Sequence, residues 1–371
     1  MEKYPKYSRK ICIATNSTCN LKCIYCYERN KENTEFDDYE ALEKIIEILK
    51  VPTKYGTKIK FHGGEPFLVF SKIKRLCETL WKQEFAEYYH FHITTNGTLV
   101  HGEIQDWLYE NRDKITVKLS LDGDKISSDI NRPNSFELID VSFFLRTWPN
   151  IRVNMTITPE TVPYIFENVK YMASLGIKNI LSHFSLMTDW ENCHLEKELY
   201  KQLLYVSEFY LDNPQLEPWL FYSYDISRTL YKNRFYSSCS LGDTMAYDFQ
   251  TKMFYPCHMC FPSIGGEKIS RELSKINFSN LNEIEESCCA GCSFVNICIT
   301  CYAENYISRG SVSRRDMSLC FYNKLIFAAL AKYEYARILK LKEPNSEDIK
   351  KMIAINALQD EIKTIEDVVR G

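Results

Sequence analysis

The stretch TCNLKCIYCYERN, residues 18–30, sets Cys19, Cys23 and Cys26 in a C-x3-C-x2-C pattern. It follows a short apolar run, ICIAT, at residues 11–15. On a strand the three side chains would alternate between faces, whereas a loop lets the three thiols converge. A strand is therefore expected to end here and a ligand-bearing loop to begin. Three thiols are one short of a closed tetrahedral zinc site. Thiolates two to four residues apart suit zinc and iron–sulfur sites equally, so spacing alone leaves both open.

Outward from the loop, apolar runs alternate with amphipathic segments. Residues 39–49 carry Leu42, Ile45, Ile46 and Leu49 at helical spacing. KIKFHGG (58–64) precedes a helical pattern over 73–85, and FHITTNG (91–97) precedes one over 103–109. ITVKLSLDG (115–123) leads to 136–146, IRVNMTIT (151–158) to 163–175, and IKNILSHFSL (177–186) to 195–210. In the fifth unit Thr161 is suited to cap the helix, Pro163 to its first turn and Gly176 to its left-handed end. Six such units predict an α/β fold with a parallel sheet, either doubly wound or a partial barrel, and ligands collect at the carboxyl ends of such strands. The cysteine loop, GGEP, TNG and SLDG all fall at those ends.

The chain has 371 residues, 45% of them hydrophobic, enough for a sizeable core. Its 46 basic and 49 acidic residues nearly balance, which argues against a charge-driven nucleic-acid or membrane partner. The first residues, MEKYPKYSRK, lack a signal-type apolar stretch, and no apolar run reaches the ~20 residues that span a bilayer. A cytoplasmic protein is expected. Fifteen cysteines are many for a reducing compartment and suggest metal or redox work. Nine of them fall between Cys239 and Cys320. The core of that group, Cys289 to Cys301, reads C-x2-C-x5-C-x2-C. A zinc ribbon would need four of these thiols and leave the others unexplained.

Taken together these motifs resemble the radical SAM family. There a C-x3-C-x-aromatic-C loop, with Tyr25 as the aromatic residue here, holds a 4Fe–4S cluster whose open iron binds S-adenosylmethionine (SAM). Gly63, Gly64, Glu65 and Pro66 match the family's GGEP turn, whose exposed backbone and carboxylate meet the methionine amino group. Ser120 and Arg132 align with contacts to the methionine carboxylate or ribose, and Thr95, Asn96 and Gly97 line the same rim. The later cysteines are similar to a SPASM domain, which carries auxiliary iron–sulfur clusters. The resemblance gives Cys289, Cys292, Cys298 and Cys320 to an outer cluster and Cys239, Cys257 and Cys301 to an inner one. Cys260 or a substrate thiolate would complete the inner cluster, and Cys288 is expected as a spare buried thiol. Two features depart from the pattern: the final C-x2-C gap is short, and QTKMFYPC lacks the usual glycine before Cys257.

The resemblance implies a partial (β/α)6 barrel over residues 1–210, a bridge over 211–238, a SPASM domain over 239–322 and a helical tail over 323–371, with one further helix in its charged end. It also implies reductive cleavage of SAM to a 5′-deoxyadenosyl radical that abstracts hydrogen from a peptide. The favoured product is an intramolecular thioether or carbon–carbon crosslink in a ribosomally made peptide. Oxidation of Cys or Ser to formylglycine and peptide epimerisation are the alternatives. In the sulfatase-maturing branch an aspartate base follows the cysteine equivalent to Cys257; here His258 stands in its place, either as a proton acceptor or as a group beside the cluster. The expected partners are a precursor peptide, a reductant such as flavodoxin or ferredoxin, and a separate leader-peptide-binding protein. The aromatic stretch 219–236 is a second candidate for leader binding, against a plain packing role between domains. A non-catalytic zinc protein is the remaining reading.

Overall fold

A computed structural model describes residues 7–28, 34–231, 239, 241, 244–278, 280, 284 and 286–370. The end of the opening stretch (29–30) and part of the aromatic bridge (232–238) lie outside them. In chain order the elements begin β1 (Arg9–Ala14), α1 (Asp38–Leu49), β2 (Thr57–His62), α2 (Phe70–Trp81), β3 (Tyr89–Thr95), α3 (Glu103–Glu110) and β4 (Ile115–Ser120). They continue α4 (Lys125–Asn131), α5 (Val141–Thr147), β5 (Arg152–Ile157), α6 (Ile165–Ser174), β6 (Asn179–Phe184) and α7 (Glu196–Asp212). Beyond the bridge come β7 (Thr244–Asp248), β8 (Met253–Tyr255), α8 (Pro262–Gly265), α9 (Glu267–Leu273), α10 (Tyr302–Arg309), α11 (Met317–Leu339), α12 (Ser346–Ala357) and α13 (Gln359–Arg370).

The chain divides into two compact units. The first comprises Met1–Leu121, Arg132–Val153 and Ser240–Ile276. Within it β1 pairs with β2, β2 with β3 and β3 with β4, all parallel and in chain order. The sheet also grows past β1: β7 pairs parallel to β1, and β8 returns antiparallel to β7. That hairpin comes from residues the sequence groups with the later cysteines. Alternation along the strands separates two faces. Ile59, Phe61, Phe91, Ile93, Val117 and Leu119 are buried on one face. Phe91 meets Trp81 of α2 edge-on at 5.9 Å, and Trp81 stacks on Trp107 of α3 at 5.9 Å, so this face lies under the helices.

The second unit comprises Asp122–Asn131, Asn154–Cys239 and Asn277–Gly371. It includes β6 and most of β5, which are neighbouring strands. Its core is the nearly all-apolar middle of α11, Leu325 to Ala331, together with Trp190, Trp219, Phe221, Tyr222 and Tyr322. Trp219 donates its indole N–H to Ser182 Oγ at 2.6 Å. Trp219, Phe221 and Tyr222 are thus core residues and present no surface to a leader peptide.

Three local expectations change. Thr161 does not cap α6: its hydroxyl accepts from the Thr158 N–H at 2.9 Å inside a 3-10 turn, Pro159–Tyr164, that precedes the helix. The proline pair at 159 and 163 tightens the entry, and α6 starts two residues later than the apolar period suggests. Gly176 does adopt the left-handed conformation, φ +78°. The charged end of the tail holds two helices rather than one: Asn345 Oδ1 accepts from the N–H groups of Glu347 (2.8 Å) and Asp348 (3.0 Å) to start α12, and the chain breaks at Leu358 before α13. No helix among the described residues is long and apolar enough to cross a membrane.

Phe91 is fully buried in a central strand and flanked by Phe61 at 5.4 Å. Replacing it with alanine is expected to cost ~3–5 kcal/mol, read as a lower denaturant midpoint with an unchanged slope.

Candidate functional site

The cysteine loop leaves β1 and is held by the turn after β2. Thr15 N–H donates to the His62 carbonyl at 2.7 Å, Gly64 N–H to the Asn16 carbonyl at 3.0 Å, and Glu65 N–H to the Thr18 carbonyl at 2.9 Å. Asn16 Nδ2 donates to the carbonyls of both Thr18 and Glu65 at 3.1 Å. The two glycines are needed for this approach. A Cβ on Gly64 would lie 1.9 Å from the Thr18 carbonyl oxygen, and one on Gly63 would lie 2.5 Å from that of Asn16.

Glu65 is only 1% exposed, which corrects the expectation of a carboxylate exposed at the rim. Its oxygens accept from Thr95 Oγ1 at 2.7 Å, Asn96 N–H at 2.8 Å and Phe67 N–H at 3.2 Å. It thereby ties the ends of β2 and β3 together. Burial pushes its carboxyl up to about 7 against these three donors and nearby Arg132, which pull the other way. Asn96 carries the connection on: Nδ2 donates to Asn20 Oδ1 at 2.9 Å and lies 3.8 Å from Cys19 Sγ. Leu21 N–H points at the same sulfur from 3.4 Å. N–H donors favour a thiolate, the form that binds metal. Cys23 and Cys26 share a turn, Cys26 N–H to the Cys23 carbonyl at 3.2 Å, and all three thiols are partly exposed.

Tyr25, Ser120 and Arg132 come together. The Arg132 guanidinium lies 5.5 Å from the Tyr25 ring centre and donates to the Ser120 carbonyl at 3.1 Å. The donor set, the glycine-dependent approach and this buried cation suit a cluster that carries a zwitterionic ligand.

A polar group that the motifs did not single out adjoins the loop. His62 Nε2 is 3.2 Å from Tyr27 Oη and 3.5 Å from Glu28 Oε1, and its ring is 4.3 Å from that of His258. His258 Nδ1 in turn is 3.5 Å from Cys257 Sγ. Burial, then the cations Lys60 and Lys118, hold both imidazoles well below the ordinary histidine range, so at neutral pH each is uncharged. His258 therefore has the protonation state of a base, and its position is that of a neighbour to Cys257. The signal for His62 lay in the alternation of KIKFH, which puts Lys58, Lys60 and His62 on the face opposite Ile59 and Phe61.

In the second unit Cys289, Cys292, Cys298 and Cys320 act on one another electrostatically, and burial and this crowding raise Cys298 to about 12. Beside them Arg315 is 6% exposed, and its buried guanidinium is turned to the Cys289 thiol. Its charge lies near Cys298 and Cys289 and 5.5 Å from the Tyr302 ring centre. A buried cation beside four thiols suits an anionic group held there. Among the described residues, no three Cys, His, Asp or Glu side chains converge as the ligands of a single ion would. The cysteines expected for the inner cluster are divided: Cys257 and the buried Cys260 belong to the first unit, Cys239 and Cys301 to the second. Cys288, expected to be buried, is exposed.

Two outcomes follow. Gly64→Ala should lose iron from the amino-terminal loop while circular dichroism shows the sheet retained. Because the Glu65 pKa is raised in the fold, the native state keeps a proton that the unfolded chain has released between pH 4.5 and about 7, and stability falls as pH rises through that window. In cluster-free protein Glu65→Gln should remove up to about 3 kcal/mol of that fall, measured by denaturation at about pH 5 and pH 7.5.

Residues 13–197 match the Radical SAM superfamily. Curated relatives include an uncharacterized protein of Methanocaldococcus jannaschii, 29% identical over 194 residues, covering 50% of this chain and 65% of that one. A probable GTP 3′,8-cyclase of Methanocella arvoryzae is 32% identical over 128 residues, covering 33% of this chain and 38% of that one. The chain thus spans less than two thirds of the length of either. Among solved structures, anSMEcpe with bound AdoMet and Cp18Cys peptide superposes with a TM-score of 0.65 at 18% identity, over 94% of this chain and 99% of that one. Streptococcus suis SuiB bound to the precursor peptide SuiA gives 0.56 at 18% identity, over 84% of this chain and 76% of that one. At these identities the likeness is one of fold. With its cysteine loop, glycine turn and matched domain, the chain belongs to the Radical SAM superfamily, whose members use a 4Fe–4S cluster and S-adenosylmethionine.

Proposed function

We propose that this chain is a peptide maturase that forms an intramolecular thioether or carbon–carbon crosslink in a ribosomally made peptide. The observation that carries this reading is likeness of fold along most of the chain to two structures holding peptides, one of them a precursor peptide. The second set of thiols gathered beside Arg315 supports it. In this reading Cys19, Cys23 and Cys26 hold the SAM-binding cluster, and Cys289, Cys292, Cys298 and Cys320 hold an auxiliary one in a SPASM-type arrangement. The bound cofactors supply hydrogen abstraction from an unactivated carbon.

The protein's own residues divide the remaining work. Glu65 and Asn96 fix the loop, so that Cys19 meets its cluster in one geometry. Tyr25, Ser120 and Arg132 form the side on which the carboxylate and ribose of SAM are received, with Arg132 as the cation. His258, held neutral beside Cys257, relays the proton of the substrate thiol without retaining it, since burial and the nearby cations oppose its charge. A flavodoxin- or ferredoxin-type reductant and a separate leader-binding protein complete the system, and the setting is cytoplasmic.

Mass spectrometry of a cysteine-containing candidate peptide co-expressed with the enzyme tests the reading. A crosslink lowers the mass by two hydrogens, with loss of one free thiol where the new bond is a thioether and with all thiols kept where it is carbon–carbon. An unchanged mass with inverted stereochemistry, or conversion of Cys or Ser to an aldehyde, would contradict it. Arg315→Gln removes the buried cation beside the auxiliary thiols. The reduction potential of that cluster, followed by EPR, is expected to fall, because a neighbouring positive charge favours the reduced, more negative state.

A further inference from the structure

The face of the first unit's sheet that turns away from the helices is unusually basic. In a closed (β/α)8 barrel the inward positions are filled mainly by branched apolar side chains. Here the register sets Lys10, Lys58 and His90 in one row and Cys12, Lys60 and His92 in the next. The following row brings His62 and Lys118, on either side of Thr94. Their strand neighbours Ile59, Phe61, Phe91, Ile93, Val117 and Leu119 are the buried residues of the helix side, which fixes the lysines on the other side. Lys60, Lys58 and Arg152 each act on Lys118 with the same sign, and together with burial they bring it down to about 7; burial and the neighbouring cations bring Lys58 to about 8. Glu28, 3.5 Å from His62, is an acidic side chain beside this half-buried face, and the cations gathered there outnumber it, which is costly unless a further anion is to be held.

We propose that this lysine-bearing face, with Lys60 and Lys118 at its centre, receives the carboxylates of an acidic, extended segment of the peptide substrate. The assignment rests on the peptide reading above. Three features select carboxylates on an extended chain. Lys58 and Lys60 are two residues apart on one strand, so their roots stand ~6.6 Å apart, the interval at which alternate side chains of an extended peptide recur. The strand N–H groups are spent in the parallel ladder, so the face lacks the backbone nest or helix N-terminus that phosphate sites favour. Lys118 lies two residues before Ser120, and Lys60 three before Gly63. The acidic segment would therefore lie about two strand residues from the SAM rim and would set which peptide carbon faces it.

The test uses full-length, anaerobically reconstituted enzyme with three probes: the blocked peptide Glu-Gly-Glu-Gly-Glu, its Gln counterpart, and tripolyphosphate. Calorimetry should show the Glu peptide binding at least roughly ten-fold more tightly than the Gln peptide, and less tightly as salt rises. Lys60→Met and Lys118→Met should each weaken the Glu peptide by roughly ten-fold with an unchanged or higher melting temperature, since each removes one of several like charges crowded on a half-buried face. Lys350→Met, on the exposed face of α12, should change nothing. Equal binding of the Glu and Gln peptides, no measurable binding of the Glu peptide, or wild-type affinity in both lysine variants would overturn the proposal. Lysine-dependent binding of tripolyphosphate without the Glu peptide would also overturn it, moving the site to a phosphorylated small molecule. Each of these failures leaves the crosslink mass test standing, because that test reads the product and not the affinity.

Discussion

The Glu65 carboxylate is the tie on which the site depends. Two of its donors, Thr95 Oγ1 and Asn96 N–H, come from the end of β3, and the third, Phe67 N–H, from the turn that follows its own residue. A buried carboxylate is costly, and three donors within 3.2 Å offset part of that cost, the remainder showing as the raised pKa. The result is a chain of fixed contacts from Glu65 through Asn96 to Cys19 and Asn20. On its other side the same turn meets the cysteine loop by backbone alone, at a distance only glycine permits. A thiol loop that would otherwise sample many conformations is thus held on two strand ends, which is the preorganisation a cofactor site requires.

Much of this was legible in the sequence, for a physical reason. Parallel strands buried under helices read as short apolar runs, and the rhythm from ICIAT to IKNILSHFSL gave all six of the first strands. The motif residues were legible as types: Cys19, Gly64, Glu65 and Asn96 do meet. Their division of labour was less so, because a carboxylate at a strand end looks the same in sequence whether it faces a ligand or braces a neighbouring strand. Glu65 braces. The β7–β8 hairpin was hidden because TMAYD and MFY are short and sit among cysteines that drew attention to metal. Thr161 misled because Thr158, three residues earlier, is an equally good cap, and the choice between them depends on Asn131, which accepts the Thr158 hydroxyl bond at 2.9 Å from a distant segment.

The charge pattern separates the two units. In the first, burial and then the cations of the sheet's helix-free face hold the His62–His258 pair neutral beside Cys257. In the second, one buried guanidinium stands among four thiols. Net charge of −3 shows none of this, because it sums 46 basic and 49 acidic residues without regard to where they lie. Partners that bulk charge argues against can still be met by a local field of one sign.

In the reading proposed above, the loop of Cys19, Cys23 and Cys26 holds a cluster with an open position for SAM, separate from the later thiols. The most direct test of that reading is to incubate reconstituted protein with SAM and a strong reductant and to quantify 5′-deoxyadenosine and methionine. The wild-type chain should release both in equal amounts. The Cys19→Ala/Cys23→Ala/Cys26→Ala variant should release neither while still binding iron and sulfide at the later cysteines. SAM cleavage by that variant, or a wild-type protein that takes up only zinc and leaves SAM intact, would contradict the account.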